Sequence, residues 1–231
     1  MSADAASVLA LTRPDRPPIV GEVVLHLAED IHRAWELTDE QAPPFWAFAW
    51  VGGQALARHV LDHPDVVAGR RVLDLASGSG LVAIAAARAG ASWVLASDTD
   101  DRARTAITLN AAANGVEVEV VGDVLGRDAD RGEHEQRHPV GPAELELDVD
   151  VVLAGDVFYE LPMARHVEAF LDAAVAAGVD VIVGDPGREY LPHRRCTALS
   201  AHDVPGTAAL EGADTTRATV WRFGVPARAP G

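Results

Sequence analysis

The chain has 231 residues, with 19 arginines, no lysine, 35 acidic side chains, a formal net charge of −16 and 48% hydrophobic residues. That length suits one α/β domain with an extension, and the charge excludes a duplex nucleic-acid binder, which needs a basic face, in favour of a basic partner or a small substrate. Cys196 has no second cysteine to pair with, so no intrachain disulfide or thiolate metal cluster can form, as suits a reducing, cytoplasmic setting.

Residues 1–18, MSADAASVLALTRPDRPP, lack a basic start followed by a long apolar core and carry Asp4 and Asp15, so they are expected to be a flexible lead-in without targeting character. In EVVLHLAEDIHRAWELT, Val23, Leu27, Ile31, Ala34 and Trp35 recur at helical spacing with Glu22, Glu29 and Asp30 on the wet side, which predicts an N-terminal helix. QAPPFWAFAW breaks it with two prolines, and VGGQALARHVLDHP predicts a second helix ending at Pro64. Residues 19–64 are thus expected to be N-terminal helices and an aromatic segment packed on the core.

Residues 65–223 carry the main domain. RVLDLAS reads as a strand, GLVAIAAARAG as a helix, SWVLASD as a strand, DRARTAITLNAAANG as a helix and VEVEVVGD as a strand, an alternation that means right-handed βαβ units on a parallel sheet. Residues 122–148 are strongly charged with almost no apolar periodicity and predict an insertion loop. The sheet resumes with DVVLAGDVFY, a helix over PMARHVEAFLDAAVAAG and the strand VDVIVGD; CTALSAHDV and TTRATVWRF then predict an antiparallel pair closing it, before a flexible tail at 224–231. The apolar run LVAIAAA is far short of the roughly 20 residues a bilayer span needs, so no membrane helix is expected.

The strand-to-helix turn after RVLDLAS carries the clearest chemical signal. Its glycines let backbone approach a ligand, and the helix behind it offers unpaired N–H groups; Asp74, Gly78 and Gly80 are the key positions. Asp98 ends the second strand about twenty residues on, where a carboxylate can accept from both hydroxyls of a ribose, and Asp123 adds a third strand-end carboxylate able to receive an adenine amino group. ASGSGLVA is not the G-x-G-x-x-G of nicotinamide dinucleotide sites, and a chain without lysine has neither a Walker motif nor a kinase lysine. The i,i+4 pairs His59/His63 and His134/His138 lack an H-E-x-x-H signature and read as surface histidines, so no metal is expected. Ser79 is outside any G-x-S-x-G elbow and reads as a helix cap or a ligand contact.

With Asp74-Leu75-Ala76-Ser77-Gly78-Ser79-Gly80 standing for D-x-G-x-G-x-G, the chain resembles the class I, seven-stranded S-adenosylmethionine-dependent methyltransferases. Within them, PPFWAFAWVGGQALARHVLDHPDVVAGRRVLDL, LAGDVFYE, VIVGDPGR and TTRATVWRF resemble the lysine methyltransferases of the electron-transfer flavoprotein β subunit, over Pro43 to Phe223. The resemblance implies a Rossmann-like fold: a mostly parallel seven-stranded sheet with an antiparallel C-terminal hairpin, helices on both faces and an N-terminal helical extension. It implies S-adenosyl-L-methionine as cofactor, held by Trp50, Gln54, Asp74, Ser77, Gly78, Gly80, Asp98, Thr99 and Asp123, with Asp156 and Tyr159 of D-x-x-Y as catalytic residues facing the amine. The departure is Ala76, where the family has its first glycine. The implied activity is N-methylation of a lysine-bearing protein, the flavoprotein β subunit among them, by an enzyme expected to be monomeric. Methylation of a small amine of the nicotinamide type, or cofactor binding without turnover, are the other readings of the same residues. Arg188 reads equally as a site residue or a surface ion pair, and Phe45, Trp46 and Phe48 as anchors of the N-terminal helix, with Trp50 and Trp46 the candidates for a lid.

Overall fold

The computed structural model describes residues 3–38, 43–125, 148–206 and 208–224. The main sheet has seven strands: β3 (Arg71–Leu75), β4 (Trp93–Ser97), β5 (Glu119–Val121), β6 (Val151–Gly155), β7 (Asp180–Asp185), β8 (Cys196–Pro205) and β9 (Thr215–Phe223). Their order is β5-β4-β3-β6-β7-β9-β8. The first five are parallel and β9 runs antiparallel to β7 and β8, so the expected closing hairpin is present.

Strand residues alternate between two cores. Val72, Val94, Leu153 and Ile182 face one layer, with Leu56 of α3 (Val51–Asp62) and Ile84 of α4 (Leu81–Arg88), while Ile107 of α5 (Asp101–Ala113) joins them. Leu73, Leu95, Val152 and Val183 face the other, beneath Val167, Phe170 and Leu171 of α6 (Leu161–Ala176). Near-continuous apolar strands follow from this, since both faces of a parallel sheet are covered.

The N-terminal region differs from the expectation. Residues predicted to be a lead-in form α1 (Ala3–Leu11) and β1 (Arg13–Asp15). The predicted single helix is a short strand, β2 (Leu25–Leu27), followed by α2 (Ile31–Thr38), with β2 antiparallel to β1. Helical spacing loses here to tertiary hydrogen bonds. Asn110 Oδ1 accepts the His26 N–H at 2.8 Å, and Asn114 both accepts the Val24 N–H at 3.0 Å and donates to its carbonyl at 2.6 Å. Asn110 of α5 and Asn114, which caps the end of that helix, thus take up the polar backbone that a helix would have satisfied internally. Val8 of α1 and Ala34 of α2 join Trp46, Phe48 and Ala106 in a small third core. Most of the predicted 122–148 loop and nearly all of the predicted tail lie outside the described residues.

The N-terminus of α3 lies directly on the ends of β6 and β7, an approach that only glycines permit. A Cβ on Gly52 would meet Asp156 Oδ2 at 2.6 Å, one on Gly155 would meet the Gly53 Cα at 2.8 Å, and one on Gly184 would meet Leu56 Cβ at 2.8 Å and collide with the Gly52 carbonyl. Because the opposing atoms are mostly backbone, Gly184→Ala is expected to destabilise the fold by about 1–3 kcal/mol. Urea denaturation checks this, and an unchanged midpoint would show that the layers can separate at no cost.

Candidate active site

The carboxyl ends of the parallel strands open onto a cavity of about 380 Å³. Its floor begins at the turn after β3. There Ala76, Gly78 and Gly80 have φ of +53°, +55° and +82°, so every second residue is left-handed, and this alternation is what the glycine motif encodes. Ala76 takes that conformation with a methyl group and lines the cavity. Gly80 caps α4 through its backbone alone, and a Cβ there would press on Ile107 at 3.3 Å. Ser79 caps nothing with its side chain; it is buried, and its carbonyl accepts from Asn110 Nδ2 at 2.8 Å.

Asp74 does not reach the cavity. It is buried, and its Oδ2 accepts the Ser77 hydroxyl at 2.5 Å and the Ala83 N–H at 3.0 Å, fastening the turn to α4. Burial pushes its carboxyl up to about 7, against the pull of those two donors, and the Asp98 charge adds to the rise. Asp98 and Thr99 line the cavity. Asp98 Oδ2 accepts the Gly78 N–H at 2.9 Å and Oδ1 the Asp100 N–H at 3.0 Å, so one carboxylate ties the first turn to the second. Asp123 lies on the wall with Oδ1 accepting the Leu125 N–H at 2.9 Å, and Ser97 Oγ donates to the Gly122 carbonyl at 2.7 Å to bring that wall in. Trp50 lines the cavity and donates from its indole to the Phe45 carbonyl at 2.8 Å. Gln54 stands behind it: Nε2 donates to the Ala49 carbonyl at 2.8 Å, and Oε1 is buried without a partner among the described residues.

The opposite half of the cavity is built on Asp156. This residue also has positive φ, +55°, and its N–H donates to the Gly184 carbonyl at 2.9 Å. Its Oδ2 accepts the Gly53 N–H at 2.8 Å and its Oδ1 accepts from Arg188 Nη2 at 2.8 Å. Burial raises the Asp156 carboxyl to about 6, with Arg188 and the Gly53 N–H holding it down and Asp185 pushing it further up, so it is largely ionised at neutral pH. Arg188 lines the cavity, and its Nη2 also reaches Glu211 Oε1 at 2.9 Å. Asp185 shapes its turn by accepting the N–H groups of Gly187 and Arg188, both at 2.7 Å.

Aromatic rings border the mouth. Tyr159 is 46% exposed with its ring 5.7 Å from Phe45, itself 40% exposed and 5.7 Å from Trp50. Phe45 is therefore a rim residue, contrary to its predicted anchoring role; Trp46, Phe48 and Phe158 are buried. Sequence reasoning overlooked Gly52, Gly53, Gly155 and Gly184, although the Gly-Gly at the start of α3 and the glycine before each of Asp156 and Asp185 were signals. His59 is not a surface histidine. Burial and the neighbouring His63 push it down to about 4, and its Nδ1 lies 2.8 Å from Ser200 Oγ. His134 and His138 fall outside the described residues.

Known proteins resemble this chain. A family model described as ribosomal protein L11 methyltransferase (PrmA) matches residues 55–154. The chain is 35% identical over 196 residues to the electron transfer flavoprotein beta subunit lysine methyltransferase of Rattus norvegicus, covering 82% of this chain and 71% of that protein. It is 33% identical over 226 residues to the protein of the same name from Xenopus laevis, covering 94% and 85%. Among solved structures, a Thermus thermophilus 16S rRNA methyltransferase in complex with AdoMet and guanosine superposes with a TM-score of 0.54 at 17% identity, over 93% of this chain and 51% of that one, a likeness of fold alone.

Two expectations concern the turn. Ala76→Gly relieves a left-handed alanine, worth about 1–2 kcal/mol, but frees the unfolded chain by about 0.4–1 kcal/mol, so a net gain of about 0.5 kcal/mol should appear in urea denaturation. A loss instead would mean that the Ala76 methyl packs favourably. For Asp74, the native carboxyl holds its proton above the model value of 3.8. Its contribution is therefore present below pH about 4 and lost as pH rises toward 7. The stability of the wild type relative to Asp74→Asn should shrink over that window, and growth would show that the ionised form is the one the fold prefers.

Proposed function

The chain belongs to the electron transfer flavoprotein beta subunit lysine methyltransferase family, and we propose that it methylates lysine side chains of that flavoprotein subunit or of another lysine-bearing protein. It is an S-adenosylmethionine-dependent protein-lysine methyltransferase. The observation that carries the assignment of the acceptor site is Asp156, a carboxyl group held by two donors at the wall of a cavity whose other half is lined by Asp98 and Asp123.

The residues present suit the cofactor. A carboxylate accepts up to about four hydrogen bonds, so Asp98 can anchor the first turn and also receive a ribose diol. Asp123 is the acceptor for an amino group of the base, and the apolar Leu75, Ala103 and Leu125 border the same space. Gly78, Thr99 and Trp50 contribute directly to the cavity, while Asp74, Ser77, Gly80 and Gln54 act from behind by fixing the turn and the start of α3. When bound, S-adenosylmethionine supplies an electrophilic methyl on a sulfonium, and its transfer is an in-line displacement governed by alignment.

The attacking amine has to be neutral, whereas a free lysine has a pKa near 10.4 and is protonated at pH 7 by about 4.6 kcal/mol. Entry into a partly dry pocket lowers that barrier. Asp156 orients the amine by accepting its N–H groups, and the exposed faces of Tyr159 and Phe45 receive the aliphatic stem and the ammonium that forms. The acidic surface favours approach of a lysine-rich segment.

Labelled S-adenosylmethionine added to a lysate should mark protein bands on a gel, and label confined to small molecules would overturn the protein acceptor. Because the chain has no lysine, any labelled lysine lies in another molecule. Asp156→Ala should lower transfer at least a hundredfold with the calorimetric Kd for cofactor within tenfold of wild type. An equal loss of both would move Asp156 into the cofactor site.

A further inference from the structure

Arg188 occupies an unusual position for a cation in a pocket that receives an amine. Nη2 carries two N–H groups, and the two carboxylate oxygens it reaches are Asp156 Oδ1 at 2.8 Å and Glu211 Oε1 at 2.9 Å. Both carboxylates are nearly buried, and the guanidinium carbon lies 6.0 Å from the centre of the Trp50 ring. The backbone beneath is equally constrained, because Asp185 holds the Arg188 N–H and Gly187 turns the chain at φ +95°. Glu211 ends α7 (Ala208–Glu211), the short helix between β8 and β9, and Leu210 beside it packs against the third core with Trp46 and Phe48.

We propose that Arg188 is a positioning residue for the acceptor amine: it holds Asp156 in one rotamer and in its charged form, and Glu211 holds Arg188, so the β8–β9 connection is part of the acceptor site. The three side chains sum to one negative charge, which lets the pocket accept amine N–H groups while the guanidinium prevents two carboxylates from repelling each other. Arginine suits this task because it stays protonated at every working pH, and the two N–H groups of its Nη2 serve two carboxylates at once. The groups that face Asp156 are the Gly53 N–H from α3 and Arg188 and Asp185 from the end of β7, with Glu211 of α7 acting through Arg188. Among these Arg188 is the one positive charge, and removing it leaves Asp156 buried with a single donor beside Asp185.

The role of the pair in transfer rests on the lysine-methylation reading, so the test has one arm that needs no acceptor. Carboxyl-carbon NMR of protein labelled at aspartate, with the Asp156 signal identified by its absence in Asp156→Asn, follows its titration directly. In Arg188→Met the midpoint should rise by at least about one pH unit, in Arg188→Lys by less, and in Glu211→Gln, which leaves the arginine to Asp156 alone, it should fall. The acid limb of kcat/KM for protein methylation should move with it, so that Arg188→Met loses at least about twofold at pH 7 and recovers toward pH 9. An unmoved midpoint in Arg188→Met, a shift in the same direction in Glu211→Gln, or a loss of kcat/KM equal at every pH would overturn the proposal. Opposite shifts in the two variants, together with a wild type that labels no protein, would support the clamp and reject the acceptor reading.

Discussion

The half of the cavity built on Asp156 depends on how closely α3 approaches the sheet. Gly52 and Gly53 at the start of the helix meet Gly155 and Gly184 at the ends of β6 and β7, with no room for a methyl group at Gly52, Gly155 or Gly184. That contact brings the Gly53 N–H to Asp156 Oδ2 and lets the Asp156 N–H reach the Gly184 carbonyl. A non-glycine residue with φ of +55° is costly unless its surroundings over-determine it. Here a helix N–H, a strand carbonyl and an arginine all do so.

The half of the cavity floored by the turn after β3 uses the same device with a different frame. Alternating left-handed residues curl the turn after β3, and the ends of that turn are held by acids. Asp74 anchors it from inside the core, through Ser77 and Ala83, while Asp98 anchors it from the cavity through Gly78. The two acids differ in surroundings: burial raises the Asp74 carboxyl toward 7, whereas Asp98 lies on the cavity wall.

Much of this is visible in the residues. Short apolar runs and Gly-ended helices place the parallel strands and the helices of the domain, and the strand-end aspartates project from one edge because parallel strands all end there. What failed to read correctly did so for tertiary reasons. Residues 22–38 have helical spacing, yet Asn110 and Asn114, more than eighty positions away, capture the backbone of Val24 and His26 and keep it extended. Phe45 has the composition of a core ring but sits on the rim, because Trp46 and Phe48 fill the third core. His59 resembles a surface residue on its helix until β8 covers it with Ser200.

Sequence alone determined the class of sheet, the glycine turn, the set of strand-end carboxylates and the absence of lysine, since each follows from local pattern or plain composition. Only the tertiary structure decided that Asp74 is buried beneath the turn with Ser77 and Ala83 as its donors, that Arg188 lines the cavity, and that Glu211 from the final hairpin shares the Arg188 guanidinium with Asp156. Those assignments rest on distances between segments remote in the chain, and no periodicity within a segment encodes which buried charge will find which partner.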